Sequence, residues 1–158
     1  LNMLGRMPNT VLLLAGVGGE TWSELQPFDT RLAGYREAPG EMAKVYAAAD
    51  LSVVPSVDEN LANTALEAMA CGRPIIAFDA GGTRDAVQHM KTGYLAAAGD
   101  DRDLAEGIKL LVDSRERRAQ MGEAASQLIS REFCMNRQAE RFSNLYQSVV
   151  ARRRKSES

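Results

Sequence analysis

Two carboxylates, Glu59 and Glu67, have seven residues between them inside the run PSVDENLANTALEAMACGRPIIAFDAGG, residues 55–82. Glu59 stands ahead of a helical pattern and Glu67 in its first turns. A strand that ends in a polar loop carrying a carboxylate, followed at once by a helix N-terminus, suits a ligand with both hydroxyls and phosphates. Backbone N–H groups and the helix dipole favour the anion, and ionised carboxylates accept hydrogen bonds from sugar hydroxyls. Taken without its neighbours, Thr64 to Glu67 also reads as a capping box, Thr-x-x-Glu, in which Glu67 would reach back to a backbone N–H. The long run around it favours the ligand reading.

The elements that must position these groups follow from patterning. Residues 11–15 are a continuous apolar run closed by Gly16, Gly18 and Gly19, the pattern of a strand buried on both faces and ending in a tight turn. Residues 31–35 are a weaker strand. After Pro39 and Gly40, residues 41–49 place Met42, Val45, Tyr46 and Ala49 at helical spacing. Strands are expected at 51–54, 75–78 and 93–96. A helix over 64–71 ends at Gly72, with Pro74 just beyond. A short helix is expected over 83–89. Further on, Leu104, Ile108, Leu111 and Val112 make one helical stripe, residues 114–130 make a further helix, and Phe142, Leu145, Tyr146, Val149 and Val150 make a second stripe.

Strands alternating with helices imply a parallel sheet with crossover helices on its faces. The fold class is therefore α/β, a Rossmann-like doubly wound parallel sheet with C-terminal helices. Ligands bind such sheets outside the carboxyl ends of the strands. Three loops are expected there: residues 16–19, 55–63 and 79–83.

Composition narrows the classes further. The chain has 158 residues, 45% of them hydrophobic and 25% charged, enough for one domain with a sizeable core. A formal net charge of −2 gives no global basic field, so nucleic acid is not the expected partner. The basic run at residues 152–155 reads first as a solvated helix end, and second as a contact to a membrane surface or an acidic partner. Cys71 and Cys134 lack the spacing of a disulfide framework and fit a reducing cytoplasm. No apolar run approaches the roughly 20 residues needed to cross a bilayer. Single features have plain structural readings: the glycines after residue 15 as a sharp turn, Cys71 as packed, the methionines as core filler. His89, the one histidine, has no ligand-spaced partners, so no metal site is expected.

The run at 55–82 resembles the nucleotide-sugar-binding half of a GT-B glycosyltransferase of the retaining family 4, also called group 1. Pro55, Ser56, Glu59, Glu67, Ala68, Met69, Ala70, Gly72, Pro74, Gly81 and Gly82 match that family's pattern. Further matches in order are LeuAlaGly at 32–34, TyrAlaAlaAlaAsp at 46–50 and ThrGlyTyrLeu at 92–95, so the likeness runs from about Val11 to Val150. The resemblance implies a donor-binding domain for a UDP-, GDP- or ADP-sugar, working by retention and without an essential metal or other cofactor. Glu59 would face the transferred sugar as the candidate catalytic residue, and Glu67 would accept from the ribose hydroxyls. The backbone of Asn60, Leu61, Ala62, Asn63 and Thr64 would meet the sugar and the distal phosphate. Tyr35 and Arg36 would lie by the base, with Gly16 and Gly18 near the nucleotide.

The sequence departs from the family in two places. Asn60, Leu61 and Ala62 stand where many members have Gly-Phe-Gly, and Arg84 replaces a common proline. Nothing before Val11 matches the family's first donor-half strand, or the loop whose Arg and Lys clamp the diphosphate. Arg36 and Arg84 are the nearest substitutes. The expected organisation is a single donor-binding domain over residues 1–158, with a basic tail at 151–158 and with the N-terminal acceptor domain absent. Alone it would bind nucleotide weakly and transfer little. A cytoplasmic location is expected, with peripheral association at the inner face of the membrane as the further reading of the tail. The competing functions are a non-catalytic nucleotide-sugar-binding module or subunit of the same fold, and a nucleotide-sugar epimerase of related GT-B architecture.

Overall fold

The computed structural model describes residues 7–16, 28–36, 38, 40–58 and 60–156. In chain order the elements are β1 (Val11–Ala15), β2 (Asp29–Gly34), α1 (Glu41–Ala48), β3 (Ser52–Val54), α2 (Asn63–Ala70) and β4 (Ile75–Phe78). They continue with α3 (Thr83–Ala86), β5 (Gly93–Ala96), α4 (Asp101–Val112), α5 (Arg115–Glu132) and α6 (Met135–Ser156). All strand pairs are parallel. They form a two-stranded sheet, β1-β2, and a three-stranded sheet in the order β3-β4-β5. The α/β class, the parallel pairing and the C-terminal helices agree with the sequence reading.

The three-stranded sheet carries the core. All four residues of β4 are buried, because helices cover both faces of a central parallel strand. On one side Ile75 and Ala77 pack with Tyr46, Ala65, Ala68, Met69, Ala125 and Leu128. On the other, Ile76 packs with Leu111 and Met121. Two glycines permit close approach: a Cβ on Gly93 would sit 2.1 Å from the Ile75 carbonyl oxygen, and one on Gly122 would sit 2.1 Å from that of Gly72. The second contact seats α5 against the left-handed turn that ends α2, where Gly72 has φ +73.

Several expectations change. β1 is not buried on both faces, since Val11 is 52% exposed and the rest of the strand is half-buried. The stripe from Phe142 to Val150 lies exposed on α6. Met69 and Met121 fill the core as expected, while Met90 and Met135 are exposed. α3 stops at Ala86, because His89 turns to pair with Gly93 and its Nδ1 accepts from the Leu95 N–H at 3.1 Å. Cys71 is partly buried against the core.

α4 and α5 are capped by side chains. Asp100 accepts from the Arg102 and Asp103 N–H groups, and Ser114 from that of Arg117. Arg118 of α5 returns to donate to the Leu111 and Val112 carbonyl oxygens, both at 2.7 Å, satisfying the end of α4.

Candidate functional site

β3 ends at Val54, and the chain from Pro55 crosses to α2 at the carboxyl edge of the three-stranded sheet. The N-cap of α2 is Ala62, which has no side-chain acceptor, and among the described residues no side chain caps this helix. Its first free N–H groups are thus left to a ligand or water. The helix starts one residue earlier than expected, at Asn63. Asn60, Asn63 and Thr64 are exposed, Leu61 is half-buried and Ala62 is buried. Glu59 and Gly18 lie outside the described residues.

The loop after β4 braces this segment. A Cβ on Gly82 would lie 1.6 Å from the Asn60 carbonyl oxygen and 3.5 Å from the Leu61 Cβ, so the absent side chain is what lets the two loops touch. Gly82 has φ −82, and close approach is therefore the reason for glycine here. Arg84, one of two candidate diphosphate cations, is engaged in the same loop. Its Nε lies 3.1 Å from Asp79 Oδ1 without hydrogen-bond alignment, and its guanidinium donates to the Asp79 carbonyl oxygen at 3.0 Å. The other candidate, Arg36, is exposed after β2.

Glu67 lies on the exposed side of α2, and the capping-box reading fails: its carboxylate does not return to the helix start. Instead Glu67 Oε2 accepts from the Tyr46 hydroxyl of α1 at 3.0 Å. Burial first, and then the Glu67 carboxylate, push the Tyr46 hydroxyl well above its ordinary range, so it stays a proton donor at any working pH. The sequence reading placed Tyr46 on an apolar helical stripe and missed its hydroxyl. The signal was the tyrosine itself, since a buried phenol needs a hydrogen-bond partner.

A second cluster forms at the ends of β1 and β2. The Gly16 N–H donates to the Gly34 carbonyl oxygen at 3.2 Å, which brings Gly16 beside Tyr35 and Arg36. Gly16 and Gly34 take positive φ values of 74 and 70, as sharp strand exits require. Tyr35 is 76% exposed. The candidates therefore fall into two groups: Gly16, Tyr35 and Arg36 at one sheet edge, and residues 60–64 with Glu67 at the other. Among the described residues no group of three or more His, Cys, Asp or Glu side chains is placed to hold a metal ion, and no helix is long and apolar enough to cross a membrane.

Comparison with known proteins bears on this arrangement. A D-inositol 3-phosphate glycosyltransferase from Thermobispora bispora is 38% identical over 112 residues, which is 71% of this chain and 26% of that protein. Sucrose-phosphate synthase from Thermosynechococcus elongatus superposes with a TM-score of 0.68 at 30% identity, over 77% of this chain and 30% of its own. HepE from Anabaena, in complex with UDP, gives a TM-score of 0.66 at 26% identity, over 75% of this chain and 32% of its own. The chain thus spans about a quarter to a third of the length of such relatives. The family model described as glycosyl transferases group 1 matches residues 6–128, and with a parallel α/β domain that superposes on GT-B enzymes, the chain belongs to that family.

Proposed function

We propose that this chain is the donor-binding half of a retaining, metal-independent glycosyltransferase, and that its donor is a UDP-sugar. The observation that carries the reading is the uncapped start of α2, held against Gly82 at the carboxyl edge of the sheet, with Glu67 fixed two turns or less behind it. HepE, at 26% identity, was solved with UDP, which favours uridine among the nucleotides considered. In this reading Glu67 accepts from the ribose hydroxyls. The N–H groups of residues 60–64 face the sugar and distal phosphate, Tyr35 and Arg36 line the base, and Glu59 faces the transferred sugar. Gly16 and Gly18 lie near the nucleotide.

The chemistry follows from charge. Breaking the bond between the anomeric carbon and the diphosphate leaves negative charge on the departing oxygens. Backbone donors and a helix terminus already aimed there stabilise that charge without reorganising. Arg36 is free to add a cation, whereas Arg84 must first leave Asp79. The acceptor wall belongs to the other half of such an enzyme, the Arg and Lys that clamp the diphosphate belong to the first loop of the family's donor half, and this chain by itself transfers little. Cys71 and Cys134 as free thiols agree with work in the cytoplasm, and the tail at 151–158 is the segment suited to an anionic membrane surface.

The test is titration of the chain with UDP, GDP and ADP by calorimetry and thermal shift. UDP is expected to bind with a Kd in the millimolar range or below, and Glu67→Ala to weaken it roughly tenfold, the scale of a lost charge-assisted hydrogen bond. If no nucleotide binds at millimolar concentration and Glu67→Ala changes nothing, the donor-half reading is wrong.

A further inference from the structure

We infer that Tyr46 is a positioning residue for the nucleotide: its hydroxyl holds the Glu67 carboxylate in the orientation that receives the ribose. This rests on the reading of Glu67 as the ribose acceptor.

Glu67 is an exposed side chain on a helix, and left alone it would sample many rotamers. Fixing such a side chain at the moment of binding costs about 1–2 kcal/mol. Here the fixing is already done. Tyr46 is 8% exposed and belongs to the same buried cluster as Ala65, Ala68 and Met69, so the phenol has little freedom of its own. Its hydroxyl meets Oε2 at 3.0 Å, and it is the one hydrogen-bond partner of the Glu67 carboxylate among the described residues. A carboxylate has about four acceptor sites. Tyr46 occupies one and leaves Oε1 for a ligand's paired hydroxyls. The bond also crosses from α1 to α2, a separation of 21 residues, so it cannot be a by-product of helix geometry.

A purely structural tie between α1 and α2 would use the same bond, and the choice of ligand separates the two roles. UDP and 2′,3′-dideoxyuridine diphosphate are titrated into the unaltered chain, Tyr46→Phe, Glu67→Gln and the double variant. Tyr46→Phe is expected to weaken UDP about 3- to 10-fold, the scale of one hydrogen bond, and to leave the dideoxy nucleotide unchanged. The double variant should bind UDP no worse than Glu67→Gln. If Tyr46→Phe weakens both nucleotides equally, or weakens neither while Glu67→Gln weakens UDP, the inference is overturned and the donor-half reading stands. If Glu67→Gln leaves UDP unchanged, the assignment of Glu67 falls and the inference with it. A second measurement needs no substitution: a carbon-13 label at the Tyr46 ζ position of the unaltered chain should shift on adding UDP and not the dideoxy nucleotide. Equal shifts, or none, overturn the proposal even if Tyr46→Phe does not fold.

Discussion

The sheet of β3, β4 and β5 and the pair of β1 and β2 share parallel hydrogen bonding, and β1 is as apolar as β4, yet they are buried differently. Ile75 and Ile76 in β4 are 0% exposed, while Val11 and Leu32 in the pair are 52% and 50% exposed. The cause is coverage. Helices α2, α4 and α5 pack on the three-stranded sheet, whereas among the described residues β1 and β2 pack mainly on each other. Parallel pairing aligns strands, and helices on both faces do the burying. For the site, the two halves of the candidate donor surface rest on unequal foundations. The α2 edge is anchored in the core, and the edge of Gly16 and Tyr35 is not.

Substitutions can break or sharpen that comparison. The largest expected effect is Ile76→Ala, about 2–5 kcal/mol of lost stability for a large-to-small change in a packed core. Val11→Ala in β1 should cost under about 1 kcal/mol, because half of its side chain already meets water. Equal costs in urea unfolding would mean that the two sheets are not differently buried in solution. Gly93→Ala comes next, at about 1–3 kcal/mol, since its new methyl would drive into the Ile75 carbonyl and part β5 from β4.

Gly82→Ala should separate site from scaffold. The methyl would push the Asn60 carbonyl away, and displacement of a positioning loop is expected to weaken UDP roughly tenfold or more, with a smaller shift in melting temperature. Unchanged UDP binding would show that the Asn60 backbone takes no part in donor recognition.

The smallest effect concerns the rim of the well-buried sheet. The Tyr94 hydroxyl, which donates to Asp103 Oδ1 at 2.5 Å, and then the Ala97 N–H hold the Asp103 carboxyl below the usual carboxylate range. A depressed folded pKa gives stability that is present above the unfolded pKa and lost as pH falls through the folded one. Tyr94→Phe should therefore make the acid-side decline of stability shallower. On the alkaline side Tyr94 itself is pushed up from 10.0 to about 12, first by its hydrogen bond to Asp103. Its contribution is lost as pH rises between those values, and the variant should lack that decline too.

Much of this was legible in order and spacing. The β4 run, the stop at Gly72 and Pro74, and the loops at strand ends follow from local chemistry, and α4's stripe is correctly turned inward at Leu111. What was hidden depends on partners distant in sequence. Thr64 looked like a cap because the pattern fits, but the helix starts at Asn63 and Glu67 finds Tyr46 instead. The exposure of β1 and of the α6 stripe could not be read from apolar residues alone, since burial belongs to what covers them. The reason for glycine at position 82 was hidden too, since only the approach of Asn60 supplies it. Arg84 looked like a free cation until Asp79 was seen beside it.

The contact between Gly82 and Asn60 also bears on how such a domain can diverge. The loop is seated by its backbone against a missing side chain, and the Asn60 side chain, which is exposed, has no share in that seating. Position 60 can therefore change residue without moving the main chain, while position 82 cannot depart from glycine without moving it. In the proposed donor half, a change at position 60 would alter the surface offered to a sugar while glycine at 82 keeps the loop's main chain in place.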